Sequence, residues 1–157
     1  MIVNKKYAEV APVFLRVVIG FGFIAHGWAK ISRGTSGFEK LLAQTGLPMP
    51  HLNAIVIPYL ELLGGLAIFI GAFVAIAAVP LIVAMLAAMF TIHIHYGFSS
   101  INTVGLTAEG PKFGPPGYEI NLLYIAGLGS LILTGAGNFS IDAFRARKRK
   151  RVFLGRS

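Results

Sequence analysis

The chain has 157 residues, of which 55% are hydrophobic and only 13% charged, and its mean hydropathy is +0.73. So little polar surface excludes a globular domain living in water. The net charge of +8 and the pI of about 10.1 come largely from one C-terminal run, and the lack of cysteine excludes disulfides, thiolate metal ligands and thiol redox chemistry.

Crossing a hydrocarbon core of ~30 Å takes ~20 helical residues, and apolar segments of that order lie at approximately 11–31, 54–73, 76–97 and 119–137. In the first, Arg16 and His26 interrupt the apolar run and no small-x-small cleavage site follows, so it is read as a span and not as a cleaved leader. In the next loop, Glu39 to Gln44 is expected to form a short amphipathic helix at the interface, stopped by Gly46 and Pro48. The stretch from Ala54 to Thr91 is apolar apart from Glu61, too long for one ordinary core helix, and broken locally at Gly71-Ala72-Phe73. Gly114-Pro115-Pro116-Gly117 reads as a rigid turn that delivers the chain to Tyr118 and Glu119 at the start of the fourth segment. The expected fold is all-α: one domain over 1–157, a four-helix transmembrane bundle with a basic tail over 143–157.

Cytoplasmic ends of membrane proteins carry the Lys and Arg excess. Lys5 and Lys6 precede the first span, and Arg145, Arg147, Lys148, Arg149, Lys150 and Arg151 follow the fourth. Both termini are therefore expected in the cytoplasm, with the loops 32–53 and 98–118 outside. The basic run abuts a span and lacks interleaved aromatics, which argues for anionic lipid headgroups and against nucleic acid as its contact.

Titratable residues inside a membrane are expensive, and their default reading is functional. With this orientation His26, Lys30, Glu61, His93, His95 and Glu119 all fall in the outer half of the bundle, Glu61 roughly 10 Å below the outer boundary. Glu61 shares a helical face with Gly64, Gly65 and Ile68, a small-residue face of the kind that packs against protein in lipid. On continuous helices His95 shares a face with Thr91, Ala88 and Ala84, and Glu119 with Leu123, Ala126 and Gly127, while His93 falls on the Met89 and Met85 face and is expected to be peripheral. His26 and Lys30 stack one turn apart. The plainer roles are equally open: Glu61 and His95 as a pair fixing helix register, Lys30 and Glu119 snorkelling to the interface. Arg16, in the inner half, is expected to snorkel to cytoplasmic headgroups or to pair with Asp142.

The three outer-half histidines and two carboxylates suit a divalent ion chemically, but His-x-His on a helix points its rings ~200° apart, so no metal site is expected. The chain carries no Gly-rich phosphate cradle, nucleophile elbow or dinucleotide fingerprint.

Taken together, Arg16 with Gly20, His26-Gly27 before Lys30, Gly46-Leu47-Pro48, Glu61 with Gly64-Gly65 and Gly71, Gly97-Phe98, Gly117-Tyr118-Glu119 with Asn121-Leu122, and Gly135-Ala136-Gly137 before Ser140-Ile141-Asp142 run along nearly the whole chain. In that order and spacing the sequence resembles the DoxX family of small four-helix bacterial membrane proteins. The resemblance implies a multi-pass protein of the cytoplasmic membrane, related to a small subunit of thiosulfate:quinone oxidoreductase and sometimes associated with oxidative-stress systems.

The leading expectation is a membrane subunit binding a small apolar or quinone-like molecule through Glu61, His95, Glu119 and His26, with Lys30 supplying positive potential and a partner protein carrying the electrons. A scaffold in which the same residues merely lock the helices is the rival. A proton-coupled carrier ranks third, because it needs an inward path and the inner half offers only Arg16.

Overall fold

A computed structural model describes residues 5–154. Its elements are α1 (Lys5–Ser32), α2 (Ser36–Gln44), α3 (Pro50–Ile70), α4 (Val74–Thr91), a 3-10 turn (His93–Tyr96), strands β1 (Thr103–Thr107) and β2 (Gly110–Phe113), α5 (Glu119–Thr134) and α6 (Ile141–Leu154). Three stretches, Glu9–Ser32, Pro50–Ile70 and Val74–Thr91, are long and apolar enough to cross a membrane, while α5 is apolar at 16 residues. Large side chains such as Phe14, Phe21, Leu63, Ile76 and Leu133 point outward, which water would penalise and hydrocarbon accommodates.

Helix α1 packs on α3 and α5, and α4 packs on the same two, so these helices close a ring. Ile19, Phe23, Ile68, Leu81, Leu128 and Leu131 fill its centre. Lipid tails are as apolar as leucine, so close packing and not burial from water must hold such a ring. The tightest contact is the α1–α3 seam. A methyl group built on Gly20 would lie 2.7 Å from the Phe69 backbone nitrogen, and one on Gly27 would lie 2.6 Å from both the Leu62 nitrogen and the Pro58 carbonyl oxygen. Opposite them, one on Gly65 would lie 2.8 Å from the Ile24 nitrogen. Glycine is required at all three because the two backbones themselves touch.

The end of the bundle where α3 turns into α4 is tied by polar groups from distant parts of the chain. Gly71 (φ +71°) ends α3, and Phe73 (φ +51°) enters α4 in the left-handed region, at a cost of order 1–2 kcal/mol for a residue with a Cβ. The Asp142 carboxylate at the start of α6 holds this turn, accepting hydrogen bonds from the Phe73 N–H at 2.9 Å and the Val74 N–H at 3.1 Å. It thereby caps two orphan donors of α4 and offsets the strain. Arg16 is 2% exposed and donates to the Phe139 carbonyl at 2.7 Å. The guanidinium thus neither snorkels to headgroups nor forms a direct ion pair with Asp142, whose oxygens serve the turn.

Three further features depart from the sequence reading. The loop before α5 holds a small antiparallel hairpin, β1 with β2, so the helical class carries one β element. Helix α4 stops at Thr91, short of 97, because Ile92 (φ −121°, ψ −62°) leaves helical geometry and the chain tightens into the 3-10 turn. The basic tail is helical through Leu154 as α6. The short helix expected at 39–44 forms as α2, starting three residues earlier, with Leu42 buried.

Candidate functional site

Lys30 lies in the last turn of α1, about one turn beyond Gly27, and Glu61 lies in the middle of α3 between Pro58 and Leu62, the two residues that Gly27 touches. Because the seam brings the helix axes so close, a long lysine side chain easily spans the gap. The Lys30 ammonium sits 2.6 Å from both Glu61 carboxylate oxygens. The pair is asymmetric in exposure, with 4% of the Glu61 side chain accessible against 27% of Lys30. From α2, the Phe38 ring faces the ammonium with its centroid 4.8 Å away, adding a cation–π contact. Glu39 of α2 meets the His51 ring at 3.1 Å, which fastens the N-terminal end of α3 to the same short helix.

The burial of Glu61 follows from its glycine face. The other three residues of the expected cluster go elsewhere. His26 is exposed on α1, one turn before Lys30 on the same helix, and is not part of the ion pair. His95 is exposed on the 3-10 turn, whereas His93, expected at the periphery, is half-buried and meets the Pro116 carbonyl at 2.9 Å. The break at Ile92 reverses the two histidines, because the helical stripe through Thr91 and Ala88 does not continue to them. Glu119 accepts from the Ser100 N–H at 2.9 Å and from its hydroxyl at 2.7 Å, closing the loop before α5 and not joining Glu61. Among the described residues no group of three His, Asp or Glu side chains is placed to share a metal ion.

One polar residue was overlooked as a site candidate. Asn121 is 2% exposed, donates through Nδ2 to the Met85 carbonyl at 3.3 Å, and leaves its buried Oδ1 without a partner among the described residues. An amide two residues into an apolar helix is a legible signal of buried polarity.

This is an α-helical, multi-pass membrane protein with a nearly buried ion pair between its first two long helices. The chain belongs to the DoxX family, whose model matches residues 11–94, a stretch that includes α2 to α4, most of α1 and both members of the pair. It is 31% identical over 147 residues, 94% of this chain and 95% of the relative, to a Bacillus subtilis (strain 168) protein named "Putative oxidoreductase CatD". It is 28% identical over 144 residues, 92% of this chain and 98% of the relative, to "Inner membrane protein YqjF" of Escherichia coli (strain K12). No solved structure matches significantly. Family and apolar helices place the chain in the inner (cytoplasmic) membrane.

Proposed function

We propose that the protein is a four-span membrane subunit with cytoplasmic termini that binds a small apolar or quinone-like molecule in the outer half of its bundle and supports a redox partner. The Lys30–Glu61 pair carries this reading. A charged pair at membrane depth costs desolvation that an apolar pair of the same volume would avoid, yet this one keeps the lysine partly open beside an aromatic ring. Lysine has three N–H donors and two face the carboxylate. The third is left for a ligand carbonyl, while the orphan Asn121 oxygen, where α5 meets α4, is a separate buried acceptor for a ligand hydroxyl. A quinone-like head with a carbonyl or hydroxyl fits that donor and acceptor chemistry. The chain has no cysteine, so the electrons belong to a partner, and the name of the Bacillus relative is in keeping with such a setting.

Helix α5 serves as the fourth span. Its ~24 Å length is short, and local thinning of the bilayer accommodates the difference. The basic helix α6 then lies at the cytoplasmic surface among anionic headgroups. Since the chain has no native cysteine, Ser36→Cys provides a single label site on α2. It should react with an impermeant maleimide in intact cells. Reaction only after the membrane is breached would reverse the orientation.

Protein purified in mild detergent should carry a quinone-like molecule, visible in the absorbance spectrum and in mass spectra of an organic extract. Preparations repeatedly free of any such molecule would count against the ligand reading. The scaffold reading has its own support, because the pair adjoins the glycine seam and pins α1 to α3.

A further inference from the structure

Helix α6 is not a loose charged tail. Asp142 docks its first turn on the α3–α4 turn, Arg147 donates to the Asn138 carbonyl, and the Arg145 guanidinium stacks 4.5 Å from the Phe73 ring centroid. Between α6 and that turn runs a groove of about 460 Å³ lined by Phe73, Asp142, Arg145, Ala146 and Arg149. Arg145 and Arg149 are one helical turn apart and face the same groove. Among the described residues neither has a carboxylate partner, and the one acid present, Asp142, is occupied with the Phe73 and Val74 N–H groups. With two guanidinium groups against one carboxylate, the groove keeps a net positive charge, and neither arginine is tied to the carboxylate.

Phe73 lines the groove and is exposed, at the end of the bundle where α3 turns into α4; Phe144, next to Arg145 in α6, and Phe139, just before that helix, are exposed as well. Aromatic side chains left open beside a pair of guanidinium groups describe a site at headgroup level, with acyl chains on one side and water on the other.

We infer that Arg145 and Arg149 form a clamp for the phosphate of an anionic phospholipid of the cytoplasmic leaflet, seated in the groove beside Phe73. The placement in that leaflet rests on the topology proposed above; the clamp chemistry does not. Two guanidinium forks one turn apart match the oxygens of a single phosphate in a way that scattered lysines do not. The glycerol and chains of the lipid leave along the exposed phenylalanines.

Delipidated protein in neutral detergent is titrated with phosphatidylglycerol, with phosphatidylcholine and with inorganic phosphate, and bound species are counted by native mass spectrometry. One phosphatidylglycerol should bind at least tenfold more tightly than phosphatidylcholine. The double substitution Arg145→Gln/Arg149→Gln should abolish the preference. The control Lys148→Gln/Arg151→Gln removes the same charge from positions outside the groove and should change affinity less than threefold. Should loss of the Arg145 stack on Phe73 unfold the first variant, Arg149→Gln alone, at an exposed position, should weaken phosphatidylglycerol threefold or more. Equal losses in both double variants would mean diffuse attraction and overturn the clamp. Displacement of the lipid by equimolar inorganic phosphate would reassign the groove to free anions and also overturn it. Detergent solution has no sides, so an inverted topology would appear only in the Ser36→Cys labelling and leave this titration unchanged.

Discussion

Lys30→Met should lower the melting temperature of the detergent-solubilised protein more than any other single polar substitution in the outer half, by on the order of 5–10 °C. The carboxylate of Glu61, with 4% of its side chain accessible, would lose its partner and could not reach water. Stranding one member of a buried pair typically costs about 3–5 kcal/mol, and the partial exposure of Lys30 puts this case toward the lower end. Glu61→Leu should be milder. The freed lysine, 27% exposed and in the last turn of α1, can extend its ammonium to the outer interface. The double variant Lys30→Met/Glu61→Leu should recover most of the stability, since replacing a whole ion pair by apolar groups of similar volume is often neutral. Thermal melts of the three proteins in one detergent give the order directly. A double variant as unstable as Lys30→Met would mean that the pair contributes more than the removal of a stranded charge.

The α1–α3 seam should be less forgiving still. Gly65→Val or Gly27→Val forces a branched side chain into positions where even a methyl group would lie 2.6 to 2.8 Å from the opposing backbone. Backbone atoms cannot rotate away, so the helices must separate, and with them go the Lys30–Glu61 contact and the dispersion contacts of the ring. A loss of about 3 kcal/mol or more per substitution is expected, enough to prevent assembly. Gly129→Ala is the control: a methyl group there meets nothing within 4 Å, and alanine favours the helix. Size-exclusion profiles and melts of Gly65→Val against Gly129→Ala check the contrast. Comparable behaviour of the two would show that the seam is not where the packing energy resides.

The apolar runs alone locate the long helices, because nothing but a membrane span or a buried core needs twenty such residues. The protein-facing side of Glu61 was equally legible, since Gly64 and Gly65 share its face. Its partner was not. Lys30, His26, His95 and Glu119 all lay at compatible depths, and which of them meets Glu61 depends on the rotation and spacing of α1 against α3, set by Gly20, Gly27 and Gly65 acting across the seam. The histidine assignment failed for a local reason. Helical periodicity was extended through Ile92, whose apolar, β-branched side chain gives no warning that the helix ends there. The hairpin went unread because its turn, Ala108-Glu109, is not a strong turn dipeptide and its strands are short, exposed and interrupted by Gly105 and Pro111. Charge alone offers Arg16 either headgroups or Asp142 as a partner, whereas the fold sets it against the sequentially remote Phe139 carbonyl and Gly71.

The claim that the Lys30–Glu61 pair belongs to a ligand site, and is not merely a lock, is tested most directly by the double variant that keeps the fold. A fluorescent or spectroscopically active quinone analogue is titrated into wild-type protein and into Lys30→Met/Glu61→Leu, with the folded fraction of each fixed by its melt. The ligand account predicts near-wild-type stability with affinity per folded molecule reduced at least tenfold, because the hydrogen-bonding head of the ligand loses its donor. Unchanged affinity per folded molecule would contradict that account and leave the pair as a fastening between α1 and α3.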